Sequence, residues 1–241
     1  VQLGGLDFAC LDSAADWCTK AGVLLGPYVF RSYEHFENFK QADFYDALNE
    51  EIGAAVGVHC FDHYNFGFRH LTAIKGLEDF EGMVLRCVDF PPYSELQKIF
   101  DVNITAIPIG DVYMALQTGV ADCEENPVTQ IVTMKFYEVQ KYLMMTAHML
   151  AVSQTVMNID TWESLTADEQ AILEEVFAWE AARIDELVQE MEEGLIAQCE
   201  ENGMTVIRDV DTTAYQERVG IVLENYPEWV ELYNQIQALE G

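Results

Sequence analysis

Thr166-Ala167-Asp168-Glu169, continuing without a break to Asn202 and Gly203, opens the longest regular pattern in the chain. Thr166 and Glu169 have the spacing of a capping box, in which hydroxyl and carboxylate each satisfy a backbone N–H left unpaired at a helix start. Apolar residues then recur at helical spacing: Leu173, Val176, Phe177, Ile184, Leu187, Val188, Met191, Leu195 and Cys199. Gly203 can take the left-handed conformation that closes a helix. The pattern predicts one helix over residues 166–202, about 54 Å long at 1.5 Å per residue. A single small lobe does not need that length. A coiled coil could use it, but the stripe lacks sustained strict heptads, so a helix spanning two lobes is the better reading. Thirteen acids stand against one base, Arg183, between Trp162 and Asn202, which marks a solvated face.

Working outward, shorter segments alternate between strand and helix. Residues 6–10 read as a short strand after the Gly4-Gly5 turn. Residues 33–52 have Phe36, Phe39, Phe44, Tyr45 and Leu48 at helical spacing. Residues 53–60, with Val56 and Val58, and residues 82–88, ended by Pro91-Pro92, are strand candidates. Residues 94–100, 111–117 and 129–145 read as helices, the last apolar at Val132, Phe136, Val139 and Leu143. Alternating strands and helices predict α/β lobes with mostly parallel or mixed sheets. No Pro/Gly/Ser-rich tether divides the chain, which suits direct crossings between lobes at a hinge.

Composition narrows the function. The 241 residues are 50% apolar and carry 42 acids against 12 bases, a net charge of −30. Nucleic acid and anionic membrane surfaces both require clustered Lys and Arg, so neither is an expected partner. There is no apolar run long enough to span a membrane. Val1-Gln2-Leu3 shows no leader peptide, which is uninformative because a mature protein lacks one. Cys10, Cys18, Cys60, Cys87, Cys123 and Cys199 form no C-x-x-C pair, and most are expected to be reduced and buried.

Few bases make each one conspicuous. Arg86 sits in the apolar strand candidate between Leu85 and Val88, where a charge is costly unless paired. Either an internal acid pairs with it or it grips a ligand carboxylate with two parallel hydrogen bonds. Arg69 in Gly67-Phe68-Arg69-His70 is a second such cation. Asn126 in Glu124-Glu125-Asn126-Pro127 is either a helix cap or an amide offered to a ligand. His59, Cys60 and His63 give the alternative, a metal-binding or hydrolytic site, although the segment reads as a strand entering a loop, where positions four apart are not adjacent. Neither a nucleophile elbow nor a Gly-rich phosphate loop is present. No cofactor is expected.

The order of several motifs resembles the TRAP-transporter extracytoplasmic solute-binding proteins, the DctP family. They are Gly67-Phe68-Arg69-His70-Leu71-Thr72, then Leu77-Glu78-Asp79-Phe80-Glu81-Gly82-Met83 leading to Leu85-Arg86. Asp111-Val112-Tyr113-Met114-Ala115-Leu116-Gln117-Thr118-Gly119-Val120-Ala121-Asp122 and Glu125-Asn126-Pro127 follow. The match continues through residues 135–143 to His148, and from Trp162-Glu163-Ser164-Leu165 into the long helix. It covers essentially the whole chain.

The resemblance implies an α/β, two-lobed periplasmic-binding-protein-like fold with a long helix spanning both lobes. Residues 1–66 would begin lobe I, 67–151 form lobe II, 152–191 return through lobe I and the spanning helix, and 192–241 complete lobe II with C-terminal helices. It implies no catalysis. A monomer would bind a small organic acid between the lobes and deliver it to TRAP membrane permease subunits, in the periplasm or lipid-anchored at the outer face of the cell membrane. Arg86 takes the role of the carboxylate-binding arginine, with Arg69 and Asn126 completing much of the polar cage. Asp12 falls near the ligand, His148 lines the cleft and Ile109 packs on the ligand. Cys87-Val88 replaces a usual Val-Pro, Cys123-Glu124 a Gly-Gln, and Ala147 an Asn. The chain is expected to begin inside the first lobe, without the family's opening βαβ unit.

Overall fold

The computed structural model describes residues 1–12, 14–76 and 80–241; Leu77, Glu78 and Asp79 of the second quoted motif lie outside them. Its strands are β1 (Phe8–Leu11), β2 (Val58–Ala73), β3 (Val84–Cys87), β4 (Asn103–Ala106), β5 (Cys123–Pro127), β6 (Tyr142–Asn158) and β7 (Thr205–Ile207). They form one mixed sheet in the order β1-β6-β2-β5-β3-β4, with β7 also pairing to β6. β3 runs parallel to β4 and β5, while β2 runs antiparallel to β5 and β6.

The two longest strands were not legible in advance. Residues 53–60 are not a strand: the helix Tyr45–Val56 continues until Gly57, at φ 79°, closes it, and β2 starts at Val58. The predicted helix over 129–145 stops at Thr133, a 3-10 turn covers Phe136–Glu138, and β6 begins at Tyr142. Lys135, at φ 56°, breaks the helical path. The N–H of Lys141 then donates to the Ala73 carbonyl at 3.0 Å, starting the ladder with β2. Both strands are buried on both faces along most of their length, which removes the alternation that marks a half-exposed strand.

Residues 33–52 hold two helices, Tyr33–Lys40 and Tyr45–Val56, the first capped by the Ser32 hydroxyl accepting from the His35 N–H at 2.9 Å. The remaining short elements fall close to their expected places, with helices at Leu96–Phe100 and Ile109–Thr118 and Gly119 left-handed after the second.

The long helix is Ala167–Glu201, 35 residues, with both hydrogen bonds of the Thr166–Glu169 capping box formed. Thr166→Ala should lower the unfolding free energy by about 1 kcal/mol. Denaturant titration reads this directly, and an unchanged midpoint would show that the cap is redundant in so long a helix.

Only part of the expected apolar stripe is covered. The buried positions are Ala181, Asp185, Val188, Ile196 and Cys199, whereas Val176 and Met191 are 48% and 49% exposed. The helix touches the sheet along a narrow line where it crosses β2. Near its start, Phe177 packs on Phe61 and Phe8 at 4.2 and 5.5 Å between ring centroids. At its middle, Asp185 accepts from the Asn65 backbone N–H at 2.7 Å and from Lys40 Nζ at 2.6 Å. Burial pushes the Asp185 carboxyl up to about 6 despite Lys40. Beside this contact a Cβ on Gly67, at φ 101°, would lie 3.3 Å from Val188 Cγ1, so backbone and helix meet closely there. Towards its end the helix adds Ile196 and Cys199 to a core of Val112, Leu116, Val128, Ile131, Phe136 and Leu143. That core is separate from the larger one around Phe36, Phe39, Leu71 and Leu85.

Candidate binding site

The β2–β6 ladder breaks at the level of Arg69. Between the pairs Arg69↔Met149 and Leu71↔Met144, β2 contributes one residue, His70, against four on β6. Backbone groups freed by such a bulge must find other partners. His70 Nδ1 accepts the Ala147 N–H at 3.0 Å, and the His148 carbonyl accepts the Tyr28 N–H at 2.7 Å. Ala147 sits at φ 43°, a conformation that Asn tolerates better than Ala.

Arg69 emerges from this bulge fully engaged on one side. Its Nε and Nη2 donate to the two Glu125 carboxylate oxygens at 2.5 and 2.8 Å. Nη2 also reaches Asn126 Oδ1 at 3.1 Å, and the guanidinium lies over the Tyr93 ring at 5.0 Å. His148 Nε2 is 3.3 Å from Glu125 Oε2, and its Nδ1 is 2.8 Å from Thr146 Oγ1. Burial alone would push the Glu125 carboxyl up. The charge of Arg69, helped by hydrogen bonds from His148 and Arg69, overcomes it and holds the group below the usual carboxylate range.

Arg86 differs in kind. It ends the apolar run of β3, 2% exposed, and its Nε donates to the Ile107 carbonyl at 2.8 Å. Among the described residues its buried Nη1 has no hydrogen-bond partner and no acid forms an ion pair with it. Burial lowers its pKa, and the more distant charges of Glu125 and Glu124 offset this only in part. Internal ion pairing therefore does not account for Arg86.

Asn126 is not a helix cap. Pro127 occupies the cap of the helix Val128–Thr133, with no side-chain cap bond. The Asn126 amide instead donates to Glu124 Oε2 at 2.6 Å and accepts from Arg69.

Asp12, Arg69, Arg86, Ile109 and Asn126 all line one cleft cavity of about 540 Å³. An adjoining cavity of about 270 Å³ shares Asp12, Arg69 and Asn126 and adds Phe66. Asp12 Oδ1 accepts from the Ser153 hydroxyl at 3.1 Å, and Ile109 is 39% exposed towards the space. His148 is placed differently from the expectation: it lines neither cavity and stands, fully buried, behind Glu125. Tyr93, Trp17 and Gln130 also line the cleft and were missed. Tyr93 follows Pro91-Pro92, read only as the end of a strand. Glu124 and Glu125, to which the sequence assigned no role of their own, occupy central strand β5 with no exposed surface.

His59, Cys60 and His63 do not converge on a point. The His59 ring stacks on Trp162 at 3.6 Å and its Nε2 meets Glu174 at 2.8 Å. His63 is bound to Tyr45, whose hydroxyl accepts its backbone N–H at 2.8 Å. Cys60 is half-buried, and burial pushes its thiol up to about 12. The metal or hydrolytic alternative is not supported. All six cysteines are unpaired thiols.

The family model for bacterial extracellular solute-binding proteins, family 7 (DctP), matches residues 1–228. The sialic acid-binding periplasmic protein SiaP of Vibrio cholerae is 30% identical over 179 residues, 72% of this chain and 56% of that protein. The ectoine-binding periplasmic protein TeaA of Halomonas elongata is 31% identical over 216 residues, 81% of this chain and 63% of that one. The chain thus spans 56% and 63% of the length of these two relatives. Among solved structures, a TRAP periplasmic solute-binding protein from Polaromonas bound to D-erythronate superposes with a TM-score of 0.89 at 24% identity, over 100% of this chain and 82% of that one. Another, from Xanthobacter autotrophicus with bound β-D-galacturonate, gives 0.90 at 23% identity, over 100% and 83%. The fold is the two-lobed α/β architecture of these proteins, with the long helix along both lobes. The chain belongs to the DctP family of bacterial extracellular solute-binding proteins, which are not enzymes.

Proposed function

We propose that this chain binds a small organic carboxylate in the cleft and presents it to the membrane permease of a TRAP-type importer on the outer side of the cell membrane, as a monomer. The observation that carries this reading is Arg86: a buried guanidinium beside the cleft, with Nη1 unpartnered. An unmet charged donor in so dry a place is costly unless an anion arrives to accept from it. Arg69 and Asn126, held in orientation by Glu125 and Glu124, would bind the same ligand. Asp12 would approach from the opposite side, Ile109 would supply an apolar wall, and His148 would fix Glu125 from behind.

In this reading, residues 1–66 and 152–191 build one lobe and residues 67–151 and 192–241 the other. Relatives whose names or structures carry sialic acid, D-erythronate and β-D-galacturonate point to the ligand class. Calorimetry against D-erythronate, D-galacturonate, D-glucuronate and orotate, with mass spectrometry of any acid retained through purification, tests the reading. One acid binding at one site per chain is expected; a protein that neither retains nor binds any of these acids would overturn it.

A further inference from the structure

Glu124 has no exposed surface and no charged partner among the described residues. Its Oε1 accepts from the Thr72 hydroxyl at 2.7 Å and its Oε2 from the Asn126 amide at 2.6 Å, both neutral groups. The cations nearby are committed elsewhere, Arg69 to Glu125 and Arg86 Nε to the Ile107 carbonyl. The titratable neighbours are Asp122, Cys123 and Glu125 on and beside β5, Arg69 and His70 on β2, Arg86 and Cys87 on β3, His148 on β6, and Tyr93 in the turn after β3. Burial pushes the Glu124 carboxyl up; the Asn126 and Thr72 hydrogen bonds pull back, Glu125 adds to the rise and the charge of Arg69 opposes it, leaving it at about 7.

Above about pH 7, where Glu124 is ionised, Arg69 and Arg86 face Glu124 and Glu125, and Asp12, Asp16 and Asp89 also line the cleft. A ligand carboxylate at Arg86 would add a further negative charge beside two carboxylates that have no exposed surface, which is unfavourable unless a proton enters as well. Glu125 is held ionised by Arg69. His70 cannot take the proton at Nδ1 without losing the Ala147 N–H that it accepts. Glu124 can. With the proton on Oε1, the Thr72 hydroxyl rotates to accept it, and Oε2 goes on holding the Asn126 amide.

We propose that the site takes up its carboxylate ligand together with one proton from solvent, and that this proton resides on Glu124. The proposal rests on the carboxylate-binding reading above.

The test is calorimetry with whichever panel acid binds, between pH 6 and 9, in paired buffers of different ionisation enthalpy. Proton uptake should approach one per ligand at pH 8 and shrink towards pH 6, where Glu124 already carries the proton. Affinity should fall by up to tenfold per pH unit above 7. In Glu124→Gln the uptake should disappear and the slope of affinity against pH should flatten. A ¹³C carboxyl titration of the wild type should show one glutamate titrating near neutrality that shifts upward with ligand. Binding without proton uptake in the wild type would overturn this proposal alone. Undiminished uptake in Glu124→Gln would also overturn it, by moving the proton to His148 or another group. A panel in which nothing binds would remove the reading of the site, and the proposal with it.

Discussion

The Arg86→Ala protein is expected to fold normally and to have lost its carboxylate affinity. The substitution removes a guanidinium that, among the described residues, is hydrogen-bonded to the Ile107 carbonyl and has Nη1 unpartnered. Little that holds the fold together goes with it. What goes is a charge-assisted contact to the ligand of about 1.5–3 kcal/mol or more, equivalent to roughly 10- to 150-fold in the dissociation constant. Arg86→Lys should fall between, because a lysine keeps the charge but not the planar fork that meets two oxygens at once. Calorimetry gives affinity and denaturant titration gives stability. Wild-type affinity in Arg86→Ala would remove Arg86 from the site. A variant that failed to fold would return it to a structural role.

Glu125→Ala should have the opposite profile, with a large loss of stability. Glu125 and Arg69 form a two-point ion pair within the sheet, the carboxylate having no exposed surface. Breaking a buried pair by removing one member leaves the other charge uncompensated, at about 3–5 kcal/mol. His148 loses its acceptor at the same time. Glu125→Gln keeps an acceptor for Arg69 without the charge and should cost less. Because Glu125 titrates below its ordinary value, its contribution is present at neutral pH and lost as the solution is acidified through that lowered pKa. A loss under about 1 kcal/mol in Glu125→Ala would show the pair to be no stronger than a surface one.

The two substitutions also mark where the sequence could be read. Arg86 stands out because it is a lone charge in an apolar strand, and Arg69 and Asn126 because they sit in recognisable motifs. Glu125 lies in the same Glu125-Asn126-Pro127 motif as Asn126, but neither it nor Glu124 stands out as a charge in a chain with 42 acids. What distinguishes them is that β5 lies between β2 and β3, a consequence of tertiary pairing. The capping box at Thr166 was legible because its two bonds close within four residues. The buried line of the same helix was not, since it depends on where β2 passes beneath. β2 and β6 were hidden for a related reason. Covered on both faces, they lose the period of two, and the apolar residues leading into β6 happen to fall at helical intervals.

Those two strands carry a mechanical consequence. An intact ladder is stiff along its length, and it yields where hydrogen bonds are missing. The β2–β6 ladder is interrupted on both sides of Arg69, between Asn65 and Phe68 and again between Arg69 and Leu71. Arg86 instead stands on a short strand paired without interruption to β4. Arg69 is therefore anchored on one edge only, to β5, with which β2 pairs without a break from Arg69 to Ala73, while its other edge faces the interrupted ladder. A ligand drawing on both would tie the β2–β5 edge to the β3–β4 edge across β5, leaving the broken β2–β6 ladder outside the load path.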